Sequence, residues 1–334
     1  MVTIKDIARD TGLSPATVAR ALGGNGPTRP ETRQRVHEAA DRLGYVVSSA
    51  ARSMRNQSSD MVGLIVPDIV NRFYSEMARA IAAACDARGL HFLLAVTDDD
   101  PDRELRQMRA MVAARAAAVA LVPGPHSHRS MIALAERQPF VQLVRRSEWL
   151  RSEWFGFEEE SGLETATTHL LSLGHRHILL ACSGDRYSTG AARQRGYTDA
   201  LKKHGLSVDD ALIRAGEPTV AHGRAAIADI PPHVTAIITA GTLLTEGAVD
   251  VLTDRGVSIP GDLSIVGFGI EKWLQWWRGG MTRIIPPVDV LAETCAEHLL
   301  SRIGTEAAGY SSGTGVIGHP TVFEIGQTTA PAAT

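Results

Sequence analysis

Thr3-Ile4-Lys5-Asp6-Ile7-Ala8, followed by Leu13-Ser14-Pro15-Ala16-Thr17-Val18-Ala19-Arg20-Ala21-Leu22, reads as two short helices joined by a tight turn. Ile4, Ile7 and Ala8 fall at i, i+3 and i+4, Gly12 can supply the turn, and Val18, Ala21 and Leu22 continue the apolar stripe. Ser14 suits an N-cap and Pro15 the first helical position. A helix-turn-helix sets the start of its second helix against base edges in the DNA major groove, which makes Pro15, Ala16, Thr17 and Arg20 candidate readers. A two-helix corner of an ordinary helical domain is the competing reading, and the rest of the chain decides between them.

The 334 residues are enough for two or three domains with real cores. With 44% hydrophobic and 21% charged residues, the composition is that of a globular protein. No apolar run is long enough to span a membrane and the N-terminus lacks a signal-peptide core, so the expected location is cytoplasmic and no membrane partner is expected. Cys85, Cys182 and Cys295 are odd in number, far apart and without C-x-x-C spacing, which suggests neither a disulfide framework nor a zinc site. The net charge of -3 hides an asymmetry: residues 1–59 carry nine Lys or Arg against five acids, the remainder 25 against 32. A basic head on an acidic body suits one end facing polyphosphate and the other a small ligand.

Further along, Pro30 to Leu43 reads as a third helix, with Val36, Ala39, Ala40 and Leu43 as its stripe and Gly44 as its stop. After residue 60, short apolar runs alternate with helical patterns. Strands are expected at Met61–Val66, Phe92–Val96, Val119–Val122, Phe140–Val144, Ile178–Cys182, Ala236–Thr239 and Ser264–Phe268. Helices are expected at Phe73–Arg88, Arg103–Arg115, Glu160–Leu173, Ala192–His204 and Glu246–Arg255. Strand and helix in turn predict parallel sheets covered on both faces. Val316-Ile317 and Thr321 to Glu324 read as edge strands, and the chain from Ala330 as a disordered tail.

These stretches resemble the LacI/GalR family of repressors. The opening is similar to its T-I-x-D-[VI]-A…V-S-x-x-T-V-S-R-x-[LI], with Ala19 in place of a Ser. Pro30 to Tyr45 resembles S-x-x-T-R-x-R-V…L-G-Y, with Arg29 where a capping Ser is usual, leaving Thr28 as the alternative cap. Ser48 to Met54 resembles the hinge P-N-x-x-A-R-x-L, with Val47 for the Pro, Ser48 for the Asn and Met54 for the Leu that wedges into the minor groove. A polar linker whose Met packs on a neighbouring domain is the other reading. Leu173-Gly174-His175-Arg176-His177-Ile178 and Arg255 to Phe268 resemble the family's L-G-H-[RK]-x-I and G-x-x-[IV]-P-x-D-[VL]-S-[VI]-x-G-[FY].

The resemblance implies an α/β protein: an all-α helix-turn-helix head plus two Rossmann-like α/β subdomains forming a periplasmic-binding-protein-like core. The head takes residues 1–46 and the hinge and linker 47–59. The core takes 60–329, its N-subdomain about 60–157 and 286–315 and its C-subdomain about 158–285 and 316–329, before the tail 330–334. The implied function is a homodimeric DNA-binding transcriptional regulator, a repressor of a pseudo-palindromic double-stranded operator, controlled by a small-molecule effector and needing no cofactor. Its DNA contacts fall to Thr3, Ser14, Pro15, Ala16, Thr17, Arg20, Arg29, Arg52 and Met54.

In the core, Arg193-Gln194-Arg195-Gly196-Tyr197 matches R-x-x-G-[FY], and Arg193 falls on the arginine that reaches the effector. Asn71, Phe73 and Tyr74 occupy ligand-contacting positions of the family, with helix-start packing at a dimer contact as the competing role. Thr189 lies beside Arg193. Sugar-binding members tend to carry Asp where this chain has Arg145, Asn-Asp where it has Gly241-Thr242, and Asp where it has Gly269. Losing these removes the usual polyol grip, and Arg145 with Arg146 points instead to a sugar acid, another carboxylate or a phosphorylated metabolite as effector, ahead of a plain sugar. Glu158, Glu159 and Glu160 can restore acceptors. Trp273, Trp276 and Trp277, at i, i+3 and i+4, share a helical face, and Trp273 is the nearest to the strand end as a stacking platform. A cytoplasmic α/β enzyme is the alternative. The sequence has no G-x-G-x-x-G after the first strand and no Walker loop, and His126, His128, His169, His175 and His177 lack ligand partners at metal spacing.

Overall fold

The structure is a computed structural model and describes residues 2–23, 28–45, 59–304 and 315–332. The chain divides into two compact units, one running to Asp60 and the other from Met61.

The N-terminal unit is three helices, α1 (Ile4–Thr11), α2 (Pro15–Gly23) and α3 (Pro30–Leu43). Asp6 accepts from both the backbone N–H (2.9 Å) and the hydroxyl (2.7 Å) of Thr3, fixing the start of α1. Gly12, at φ 69°, ends that helix in the left-handed conformation that makes the tight turn. Ser14 Oγ accepts from Thr17 N (3.1 Å) and caps α2, with Pro15 in its first turn. Arg29 precedes α3 without a side-chain cap, and Thr28 Oγ1 is buried with no partner among the described residues. Ile7, Ala8, Val18, Ala21, Val36, Ala39 and Ala40 close a small core, and Arg42 pairs with Asp10 (2.5 Å) across α3 and α1. The hinge, with Arg52 and Met54, lies outside the described residues.

The second unit holds two six-stranded sheets. The first has the order β11-β5-β4-β3-β1-β2 and is wholly parallel: β1 (Met61–Val66), β2 (His91–Val96), β3 (Ala118–Leu121), β4 (Phe140–Leu143), β5 (Glu153–Phe157) and β11 (Val316–His319). The second runs β12-β10-β9-β8-β6-β7: β6 (Ile178–Ser183), β7 (Ile213–Gly216), β8 (Ala236–Ala240), β9 (Ser264–Phe268), β10 (Thr282–Ile285) and β12 (Val322–Glu324), with only the β10–β12 pair antiparallel. Helices α4 (Arg72–Asp86), α5 (Pro101–Ala113), α6 (Met131–Ala135) and α11 (Val288–Ser301) accompany the first sheet. With the second go α7 (Glu159–Ser172), α8 (Ser188–Lys203), α9 (Val220–Ala226) and α10 (Thr242–Asp254). The core strands are buried on both faces, β3, β4, β6, β8 and β9 throughout their length.

Two expectations change. The chain's third passage between sheets was expected before Val316, but β11 pairs with β5, so the passage follows His319. Ala330 to Ala332 is not a loose tail: Ala330 N donates to Ser264 Oγ (3.1 Å), Ala330 O accepts from His175 Nε2 (3.0 Å), and Ala332 N reaches Leu173 O (2.9 Å). A sequence rich in Ala and Thr gave no periodicity, whereas the N-terminal ends of β6 and β9 offered it partners.

Candidate functional site

On the N-terminal unit, Thr3, Ser14, Pro15, Ala16, Arg20 and Arg29 are exposed and Thr17 half-buried, while Val18 is sealed beneath them. Arg20 has no ion pair or hydrogen bond among the described residues, so its guanidinium is free to project. The hydroxyls of Thr3 and Ser14 are committed to their own helix starts. This is the geometry of a groove-reading helix whose apolar side is held from behind.

In the second unit a cavity of about 470 Å³ is lined from the C-terminal ends of strands in both sheets. Such strand ends are where α/β sheets take ligands, and the volume is ordinary for a ligand pocket. Asn71, Phe73, Tyr74, Arg145, Thr189, Arg193 and Thr242 all line it. Trp273 does not. After β9 the chain runs in 3-10 turns, Lys272–Gln275 and Trp277–Gly279, so no helical face forms, and Trp273 packs on the core beside Leu274 and Met281.

Each arginine arrives with its counter-charge. Arg193 Nε and Nη2 donate to the two oxygens of Glu159 (2.7 and 2.8 Å), Nη1 donates to Ala240 O (2.9 Å), and the guanidinium lies 4.5 Å from the Phe268 ring. Both members of the pair are buried. Gly196 makes this possible: a Cβ there would stand 2.1 Å from Glu160 O, so only glycine lets α8 lie this close to α7. Arg145 Nη1 donates to Asp99 (2.5 Å). Arg145 is directed inward by Val144, which sits at φ 62° with Arg145 N bonded to Leu143 O (2.7 Å), a tight turn rare for a β-branched residue. Burial opposes the Arg145 charge, and Tyr74 and Asp99 outweigh it and hold its pKa above the usual arginine value. Burial also raises the Tyr74 phenol. Arg146 is exposed, away from the cavity, with its guanidinium over the Trp154 ring (5.6 Å).

The residues that sequence reasoning missed are carboxylates. Asp68, Asp98, Asp99 and Glu217 line the same cavity. Asp98 pairs with Arg103, and Glu217 with Arg186 and with the Tyr187 hydroxyl (2.5 Å). The available signal was Asp98-Asp99-Asp100 directly after a strand, since that end of a parallel strand faces the cleft. Among the described residues no group of three or more His, Cys, Asp or Glu is placed to hold a metal ion.

A groove-reading head and a core with a ligand-sized cleft define a class, that of ligand-controlled DNA-binding proteins. Residues 3–48 match the model of bacterial regulatory proteins of the lacI family, and residues 167–314 that of a periplasmic binding protein-like domain. The regulator DegA of Bacillus subtilis is 30% identical over 294 residues, covering 86% of this chain and 87% of its own. GalR of Escherichia coli is 28% identical over 305 residues, covering 90% and 89%. A solved lac repressor dimer bound to operator and the anti-inducer ONPF shares the fold, with a TM-score of 0.81 at 20% identity over 98% of this chain and 99% of that one. The chain belongs to the lacI family of bacterial regulatory proteins. It is a DNA-binding transcriptional regulator with an effector-binding core. The enzyme alternative falls, because its relatives are transcriptional regulators. Among the described residues no helix is long and apolar enough to cross a membrane.

Proposed function

We propose that the chain is a homodimeric repressor whose two heads read the halves of a pseudo-palindromic operator, and whose grip changes when an uncharged polyhydroxylated molecule binds the core cavity. The lac repressor of similar fold is a dimer on operator, and two-fold symmetry in a protein is matched by symmetry in its site. Arg20 takes a base edge by paired hydrogen bonds, Ala16 a thymine methyl, and Thr17 and Arg29 the phosphates. Arg52 and Met54 would act in the hinge, between base steps of the minor groove. Asn71, Phe73, Tyr74, Arg145, Thr189, Arg193 and Thr242 form the effector set, joined by Asp68, Asp98, Asp99 and Glu217.

The observation that carries the effector class is the pairing of both cavity arginines with carboxylates. An acidic effector would enter a site whose two arginines are already paired and whose other charged lining residues are the carboxylates Asp68, Asp98 and Glu217, so the preference for a sugar acid drawn from Arg145 and Arg146 loses its basis. The same lining offers hydroxyls what they need: carboxylate acceptors, the N–H groups Arg193 has left, and the faces of Phe73, Phe157 and Phe268 for ring carbons. A thermal-shift screen of the full chain with neutral sugars, sugar acids and sugar phosphates tests this, because ligands of the native state raise the melting temperature. Neutral sugars should raise it, and Arg193→Met should abolish that rise. Stabilisation by the acids alone would overturn the effector class.

A further inference from the structure

Tyr187 follows β6 in the second subdomain, is 2% exposed, and receives the guanidinium of Arg145 from the first subdomain 4.6 Å from its ring centre. Its hydroxyl donates to Glu217 Oε2 (2.5 Å), and Arg145 is held from its own side by Asp99. The result is a continuous run across the cleft, Asp99–Arg145–Tyr187–Glu217, made wholly of the chain's own side chains. Beside it Arg146 N donates to Ser188 Oγ (2.9 Å), a second link between the same two segments.

Position gives this run its leverage. The covalent passages between subdomains leave β5, β10 and β11, all at or next to one edge of their sheets. Asp99 follows β2 and Glu217 follows β7, the strands at the opposite edges. The cross-cleft contact itself lies further in, Arg145 after β4 against Tyr187 after β6, and the bonds to Asp99 and Glu217 tie it to the edges opposite the covalent links. A buried cation over an aromatic face is also stronger than an exposed one, since water does not compete for the charge. The two ends of the run, Asp99 and Glu217, line the cavity, so a ligand bonded to either carboxylate acts directly on the run.

We propose that Tyr187 is a positioning residue whose stack with Arg145 clasps the two core subdomains shut, and that the effector acts by strengthening or breaking this clasp. The proposal rests on the reading of the cavity as an effector site. It gives the cavity a means of transmission: two arrangements of the core, with and without the clasp, that a ligand can favour unequally.

The test is a distance measurement on the full chain with spin labels at Arg109→Cys on α5 and Ala228→Cys after α9. Both sites are exposed and the three native cysteines are buried, so labelling is selective. Tyr187→Leu and Arg145→Met should each raise the population at longer separation about tenfold, in line with loss of a buried cation–aromatic contact. The double variant should open no further, and Tyr187→Phe, which keeps the ring, should stay near the parent. If Tyr187→Leu fails to fold, Arg145→Met decides by the same criterion. Lowered melting temperatures with unchanged distances would reduce Tyr187 to a packing residue and overturn the proposal. Opening by the variants, combined with no response of the parent to galactose, glucose or cellobiose in melting temperature or distance, would uphold the clasp and remove the neutral-sugar reading. Closed variants with a sugar-responsive parent would do the reverse.

Discussion

Three of the five N–H groups of Arg193 are engaged within the protein, two on Glu159 and one on the Ala240 carbonyl. The remaining two, one on each terminal nitrogen, are what a ligand can use, and they come from a group whose charge Glu159 already balances. An arginine so placed is a rigid two-donor fixture and a poor trap for anions. The pair also has a cost when broken, because both side chains are buried and neither can turn to water. Glu159→Ala should lower the unfolding free energy of the full chain by about 3–5 kcal/mol in urea titrations, since it strands a buried guanidinium. The double variant Glu159→Leu/Arg193→Met should recover most of that loss, because a matched apolar pair replaces a matched ionic one. A loss from Glu159→Ala no larger than an exposed ion pair provides, about 1 kcal/mol, would refute the burial argument.

At the scale of elements, the C-terminal segment is held against the second sheet by two histidines. His175 Nε2 donates to Ala330 O, so in the neutral ring Nδ1 accepts from the Thr235 hydroxyl (2.8 Å), while His169 Nε2 meets Thr329 Oγ1 (3.0 Å). Burial lowers both pKa values below 6.5, and for His169 the neighbouring His175 adds to the effect. A histidine depressed in the folded state contributes stability that is complete above 6.5 and is lost as the pH falls below it, because the unfolded chain takes the proton first. Hydrogen exchange at Ala330 N and Ala332 N, corrected for intrinsic rates, should therefore show less protection at pH 5.5 than at pH 7.5. Equal protection at both would sink the assignment. This segment was also the least legible part of the fold. Strands β1, β3, β4, β6, β8 and β9 were readable as continuous apolar runs, since burial on both faces demands them. Strands β5, β7 and β10 were not: Glu153 pairs with His298 and Arg302, β7 is a half-exposed edge, and buried Arg283 in β10 is neutralised by Glu324. In β5 and β10 a polar residue that argues against a strand is answered by a partner distant in sequence. The cavity divides in the same way. Arg193 was legible from its motif, whereas the carboxylates facing it come from turns after β1, β2 and β7, and the tryptophans misled because helical spacing does not make a helix.

For the whole molecule, the division at Asp60 separates two kinds of work. The N-terminal unit closes its own core from Ile7, Val18 and Val36 and carries the excess of basic residues, while everything that lines the effector cavity lies in the second unit. A unit of about 60 residues buries a smaller share of its surface than a larger domain and is correspondingly marginal, and a single head also lacks the linked second head that makes the second half-site contact intramolecular. Residues 61–334 expressed alone should fold, keep the melting-temperature rise with any sugar that stabilises the full chain, and show no DNA affinity above background by fluorescence anisotropy. Residues 1–60 alone should bind DNA weakly and with a salt dependence about half that of the full dimer, because one head neutralises half as many phosphates. Sequence-selective binding by residues 61–334 would relocate the DNA-reading surface. Loss of the sugar response on truncation would mean that the cavity depends on the head, contrary to a core whose clasp and lining are complete without it.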